Sequence, residues 1–260
     1  MSKDAQYPEH FVKRLEIVWG EGFLSPGGPE EVREIVDGID LGGKNLLDIG
    51  CGLGGPAIVL ARETGVARIV AIDVEPSLIQ QGTAYADHAG VANKIEFRLV
   101  EPGPLPFARD SFDVVFSKDA LIHIADKPAM YREILRVLRR GGVFLASDWL
   151  GGENTNTSPE WKRFRELGHL DFTMATAAET HATMTAAGFE NVSTRDRNAW
   201  YAQVSRLDFE QVKGPMRDRL IDAAGEEIYL HWLKVRQALT DAVAVGALRP
   251  THLRGFKPPN

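Results

Sequence analysis

The chain is poor in cysteine, in long apolar runs and in excess positive charge, and each shortage excludes something. One cysteine, Cys51, among 260 residues allows no internal disulfide, and no Cys/His cluster has metal-binding spacing, so no metal is expected. No stretch approaches the ~18 uninterrupted apolar residues of a spanning helix. The opening MSKDAQYPEH lacks the apolar centre of a signal peptide. The expected setting is a reducing cytoplasm with no membrane partner. The formal charge of −6 leaves no general surplus of cations to neutralise phosphates, so a nucleic-acid partner is not expected. What is present is ordinary for a soluble globular protein: 44% hydrophobic and 25% charged residues, in a chain long enough to bury a substantial core.

The apolar pattern predicts strands at 44–49, 68–74, 94–100, 112–119 and 143–149, each followed by a helix or loop. Helices are predicted at 9–19, 29–37, 55–64, 76–90 and 127–142. Alternating strands and helices imply right-handed crossovers and a doubly wound, mostly parallel sheet in an α/β fold. Beyond Trp149 the rhythm changes. Helices at 158–170 and 176–187, a strand at 189–196, a long helical stretch over 200–245 and a final strand in RPTHLRGFK, expected at an antiparallel edge, complete the reading. One domain spans 1–260. Within it, 1–28 read as an N-terminal lid, 29–150 as the binding core, 151–187 as an inserted helical cap and 188–260 as the last part of the sheet with its helices.

The segment DIGCGLGG (48–55) ends the first strand and opens a helix. Gly50, Gly52 and Gly54 let the backbone approach a ligand. The same letters fit the dinucleotide fingerprint through Gly50, Gly52 and Gly55, so glycine spacing alone leaves the ligand open. Asp48 stands two residues before the first glycine. Asp73 ends the second strand, where a carboxylate can accept from two ribose hydroxyls.

The order D-x-G-x-G-x-G, with Asp73 and with LPFARDSFDVVFS (105–117), resembles the class I S-adenosylmethionine-dependent methyltransferases over about residues 44–149. The resemblance implies a seven-stranded, Rossmann-like sheet and S-adenosylmethionine as cofactor, with S-adenosylhomocysteine as product. It implies cofactor contacts from Asp48, the three glycines, Asp73, Val74 and Lys118. Glu101 stands where that family carries an aspartate facing the adenine amino group. Cys51 reads as a small filler beside the cofactor.

An amine acceptor is an ammonium near neutral pH and needs a base. His123 follows the fourth strand in SKDALIHI, at the sheet edge where the methyl group belongs. QYPEHFVKRLEIVWGEGFLSPGG (6–28), DIGCGLGG, SKDALIHI and SDW together resemble the phosphoethanolamine N-methyltransferases. This second resemblance implies a catalytic pair of Tyr7 and His123, with Tyr7 carried by the lid. It also implies an amine contact from Asp119 and a cofactor contact from Ser25. Trp149 stands where the family has a tyrosine, and its aromatic face could bind substrate by holding a cationic methylated group, or be part of the core. The match departs in FRELGHLDFTMATAAET (164–180). The family's phosphate-reading arginine falls near Asp171, and its tyrosines fall on Leu167 and on Phe172 or Thr173. An acid repels a phosphate, so phosphoethanolamine itself is not the favoured acceptor. Arg163, Arg165 and Lys234 are the candidate cations for rebuilding an anion site. His169 and His181 read as solvated or capping.

The expected activity is N-methylation of a small polar amine with His123 as base. S- or O-methylation, of a thioether such as methionine or of a carboxylate or hydroxyl, stays open. So does a protein that binds S-adenosylmethionine without catalysis. A nicotinamide-dependent dehydrogenase is disfavoured, because no nicotinamide site is visible. The oligomeric state is not legible.

Overall fold

The structure is a computed structural model and describes residues 7–170 and 174–260. Strands β1 (Asn45–Ile49), β2 (Arg68–Asp73), β3 (Ile95–Leu99), β4 (Phe112–Lys118), β5 (Leu138–Gly151), β6 (Glu190–Asp196) and β7 (Leu248–Phe256) form one sheet in the order β3-β2-β1-β4-β5-β7-β6. β1 pairs in parallel with both β2 and β4, so the direction of winding reverses there. In such sheets the crevice beyond the strands' carboxyl ends at the reversal is the ligand site.

Helices α2 (Gly28–Val36), α3 (Gly55–Glu63) and α4 (Pro76–His88) bury one face of the sheet around Val32, Leu60 and Phe116. On the other face α5 (Lys127–Val137) and α7 (Ala177–Ala187) cover Leu47, Val115 and Phe144. α6 (Pro159–Gly168), α8 (Asn198–Lys213), α9 (Arg217–Ala224) and α10 (Glu226–Ala244) make a helical layer over the sheet's carboxyl edge, with α1 (Glu9–Trp19) against it.

Four sequence expectations shift. The helix predicted over 127–142 ends at Val137, because Leu138 pairs with Phe112 and begins β5. Gly141, in the left-handed region, donates its N–H to the Lys257 carbonyl (3.0 Å), which ties this stretch into the strand. The last strand is not an edge. β7 is buried along most of its length and bonded on both sides, while β6, with its exposed charged residues, is the edge. The stretch 200–245 is three helices, broken at Gly214 and Gly225. Finally, the predicted cap 151–187 divides. α6 packs through Trp161 on Tyr201 and Leu239, but α7 is an ordinary sheet-covering helix. Its Met184 is buried with Phe189 and Leu135, and Thr176 with Glu179 closes its start as a capping box.

Candidate active site

The turn after β1 is shaped by its glycines. Gly50 and Gly54 have φ of +71° and +79°, a region L residues seldom occupy. A Cβ on Gly50 would lie 2.3 Å from the Ala120 Cβ, and one on Gly54 2.5 Å from the Phe97 ring. The N–H groups of Gly50 and Cys51 both donate to the Ile72 carbonyl, at 2.9 and 3.0 Å. The loop therefore sits on the end of β2.

A cavity of about 650 Å³ opens over this turn, lined by Gly50, Gly52, Asp48, Asp73, Val74 and Glu101, and also by Ser25, Lys118, Asp119, His123 and Tyr7. Gly54 lies behind the wall and serves packing against Phe97. Asp73 accepts from Gly52 N–H at 2.8 Å and from Glu75 N–H at 3.1 Å. Burial raises its pKa, and these N–H groups pull it partly back. Asp48 is 1% exposed. Burial, then the nearby Asp73 charge, pushes its pKa up to about 8. Its Oδ2 has no hydrogen-bond partner among the described residues, so a cationic group entering the cavity would supply one. Burial also raises the Cys51 thiol well above its usual range, which makes it a filler and not a reactive thiolate.

The acceptor end is assembled from distant segments. Lys118 Nζ donates to Ser25 Oγ (2.6 Å), the Pro26 carbonyl (2.9 Å) and Asp119 Oδ2 (2.7 Å). Asp119, in the left-handed region at φ +57°, also accepts from Ser147 Oγ at 2.8 Å. His123 ends a 3-10 turn, Leu121–His123. Two residues the sequence reading left unassigned hold that turn. Asp148 Oδ1 accepts from Ile122 N–H at 3.0 Å, and Lys127 Nζ donates to the Leu121 carbonyl (2.6 Å) and to Asp148 Oδ2 (3.3 Å). The signal was present: an aspartate in the apolar strand FLASDW is costly to bury unless it is bonded.

Tyr7 Oη lies 3.5 Å from His123 Nε2, at the long end of hydrogen-bond range. Tyr7 is pushed up to about 12 by burial and then by Asp73 and Glu75, so it stays a neutral phenol. Burial, with Lys127 second, holds the His123 pKa below the ordinary histidine value, so the imidazole is neutral at pH 7. A second cavity of about 920 Å³ adjoins the first at His123 and Ile124 and is lined by Lys127, Asn156 and Thr176.

Several expected residues lie elsewhere. Trp149 does not line the first cavity; it packs edge-on against Tyr201, with centroids 5.0 Å apart. Arg163 and Lys234 are exposed on α6 and α10, outside both cavities, and Arg165 donates to the Leu170 carbonyl. His169 stacks on His231 and lines the second cavity. His181 is exposed on α7. Asp171, Phe172 and Thr173 fall outside the described residues. Among the described residues no group of three His, Cys, Asp or Glu side chains has the arrangement to hold a metal ion, and no helix is long and apolar enough to cross a membrane.

The strand order and the acid-flanked glycine turn at its reversal define a class I methyltransferase architecture. The chain belongs to the methyltransferase domain family, whose model matches residues 40–205. It is 31% identical over 225 residues to phosphoethanolamine N-methyltransferase 3 of Arabidopsis thaliana, covering 86% of this chain and 45% of the plant protein. The chain thus spans about half the length of such plant relatives. The phosphoethanolamine N-methyltransferase of Plasmodium falciparum is 27% identical over 206 residues, covering 78% of this chain and 75% of that one. Among solved structures, Haemonchus contortus phosphoethanolamine N-methyltransferase 2, in complex with phosphomonomethylethanolamine and S-adenosylhomocysteine, superposes with a TM-score of 0.89 at 21% identity. That match covers 98% of this chain and 59% of the nematode chain, and it establishes the shared fold.

Proposed function

We propose that this protein transfers a methyl group from S-adenosylmethionine to the nitrogen of a small polar amine. The observation that carries the proposal is the Tyr7–His123 pair, closed over a cavity whose floor is the glycine turn. The cavity suits the cofactor. Asp73 offers oxygens to the ribose hydroxyls, and Glu101 and Val74 line the adenine end. Asp48, with its unpartnered Oδ2, together with Ser25 and Lys118, faces the amino-acid end. Bound there, S-adenosylmethionine supplies an electrophilic methyl on its sulfonium.

The protein's own part is alignment, exclusion of water and proton removal. An amine with a pKa near 10 lies well above an imidazole that burial holds below the ordinary histidine value. A base alone does not close that gap. Desolvation of the acceptor against Tyr7 and the cavity wall disfavours the ammonium and lowers its pKa toward that of His123. His123 then takes the proton as the nitrogen lone pair is committed to the new bond, and the second cavity at its far side offers the acceptor a polar approach.

A second reading, methylation of a thioether, draws on Asp119. That carboxylate is already neutralised by Lys118 and bonded by Ser147, so it offers a cationic amine little net charge. A proton-free sulfur needs neither a counter-charge nor a base. Turnover with a panel of small amines and thioethers by wild type and His123→Ala separates the two. Amine transfer that collapses in the variant supports the first reading, and thioether transfer that survives supports the second.

A further inference from the structure

The helical layer α8–α10 has no part in the chemistry above, yet it holds an unusual buried network against α1. Arg236 of α10 is 3% exposed. Its Nη2 donates to Asp208 Oδ2 of α8 at 3.2 Å. The same Asp208 oxygen accepts from Trp19 Nε1, at the end of α1, at 2.8 Å. The Arg236 guanidinium lies over the Trp19 ring (5.3 Å) and the Trp232 ring (5.9 Å). One turn and a half earlier on α1, buried Arg14 sits between Phe11 (5.3 Å) and Trp232 (5.2 Å). Leu15 fills the space beside Val212, Leu220 and Tyr229.

This arrangement is not explained by stability. A buried ion pair rarely outperforms well-packed apolar residues of the same volume. This one also leaves polar atoms unmatched, since Arg236 Nε and Ser205 Oγ have no hydrogen-bond partner among the described residues. What such a pair does well is fix direction. An apolar contact tolerates sliding, whereas a shared carboxylate oxygen and two ring faces set the register of α1. Nearer the start of α1, Val12 is buried with Leu53 of the glycine turn and Leu78 of α4, and Tyr7 packs on the same group. The Tyr7 ring meets Phe11 at 5.8 Å. α1 is thus held between the cofactor turn and the C-terminal helices, with Tyr7 at its leading end.

We infer that Asp208 and Arg236 are positioning residues that latch α1, and through it Tyr7, over the cofactor cavity. The inference rests on the methyltransferase reading for its consequence, though not for its geometry. A latched lid slows the escape of the bound product and holds Tyr7 beside His123. A loosened lid releases product faster and lowers turnover while the cavity itself is intact.

The test uses the full chain with S-adenosylhomocysteine as probe. Trp19→Phe keeps the ring but removes the N–H that reaches Asp208, and Asp208→Asn removes the charge. Release of S-adenosylhomocysteine, followed by stopped-flow fluorescence, should quicken roughly tenfold in each variant, the scale set by one charge-assisted hydrogen bond. The double variant should release no faster than the stronger single one, because both cut the same network. kcat should fall while the association rate of the cofactor holds. Arg236→Lys, which keeps the charge, should recover most of the wild-type release rate relative to Arg236→Met. In protein without ligand, the amides of residues 9–19 should exchange faster in the Trp19→Phe variant. Unchanged release and turnover in cooperatively folding variants would overturn the latch, as would strictly additive effects. If Asp208→Asn does not fold, Trp19→Phe carries the test alone. A silent His123→Ala beside fast-releasing latch variants would sink the base mechanism and leave the latch standing; the reverse pattern would do the opposite.

Discussion

The two ends of the cavity are built in opposite ways. The cofactor end is local: one turn of eight residues supplies backbone, and two aspartates at adjacent strand ends supply charge. The acceptor end is assembled from Tyr7 before α1, Asp119 after β4, His123 on a short turn and Asp148 within β5. These segments meet only in the folded chain, through contacts such as Tyr7 to His123 and Asp148 to the Ile122 N–H. The first end is set by covalent neighbours, so its pattern survives in the sequence. The second is set by packing, so it depends on buried bonds such as Asp148 to Ile122 N–H.

That contrast can be broken experimentally, and the largest expected effect lies at the local end. Gly50→Val places a carbon where Ala120 stands, so the turn must open. Calorimetry should find no measurable S-adenosylmethionine binding, while circular dichroism still reports a folded sheet. His123→Ala should do the reverse: cofactor affinity within about threefold of wild type, and a rate lower by roughly 10² to 10⁴, the usual worth of a general base. If both variants lost binding alike, the two ends would not be separable.

The charged floor of the cavity gives a pH signature. Asp48 has a folded-state pKa near 8, raised from the ordinary carboxylate range by burial and by Asp73. The folded, ligand-free protein therefore holds a proton that the unfolded chain has released. Its contribution to stability is complete below the unfolded pKa and is lost as pH rises toward and through about 8. The thermal stability of the free protein should fall over that interval, and Asp48→Asn should flatten the dependence. Affinity for a cationic ligand runs the other way, rising with pH as Asp48 ionises. At the acceptor end, the lowered His123 pKa predicts that kcat/KM for the acceptor, measured at saturating S-adenosylmethionine, climbs on the acid side of the ordinary histidine range and loses its His123 dependence before neutrality.

The smallest effect is expected at Trp149. It packs on Tyr201 away from the cavity, so Trp149→Phe should cost about 1 kcal/mol of stability, as aromatic pairs do. Turnover should change less than about threefold, since no contact with the reacting groups is removed. A large loss of turnover with stability intact would return Trp149 to the acceptor site.

The same contrast explains what the sequence disclosed. The parallel half of the sheet was legible because apolar runs ending in glycine or aspartate mark strand ends without help from distant residues. Asp73 and the glycine turn are where those runs placed them. Tyr7 and His123 lie 116 positions apart, and no periodicity joins them; only a family resemblance brought them together on the page. Asp148 in SDW shows no role in the sequence, because its partners, Lys127 and the Leu121–His123 turn, are its neighbours only once β5 lies beside β4. The misplacement of β7 has a similar origin. Its buried pattern shows that it is covered, but which strand takes the edge is decided by pairing, and β6 carries the exposed charges. Trp149 is ambiguous for a different reason. Facing a site and facing a hydrophobic neighbour look alike in a strand, and Tyr201 lies far along the chain.

The central claim is that His123 is the base for methyl transfer to an amine. A single-turnover experiment with methyl-labelled S-adenosylmethionine and excess enzyme, run on small amines with wild type and His123→Ala in parallel, tests it directly. The account predicts label on the nitrogen of one amine, transfer slowed at least a hundredfold in the variant, the scale of a lost base, and cofactor affinity unchanged. Transfer at the wild-type rate by His123→Ala, or label appearing only on a thioether, would contradict it.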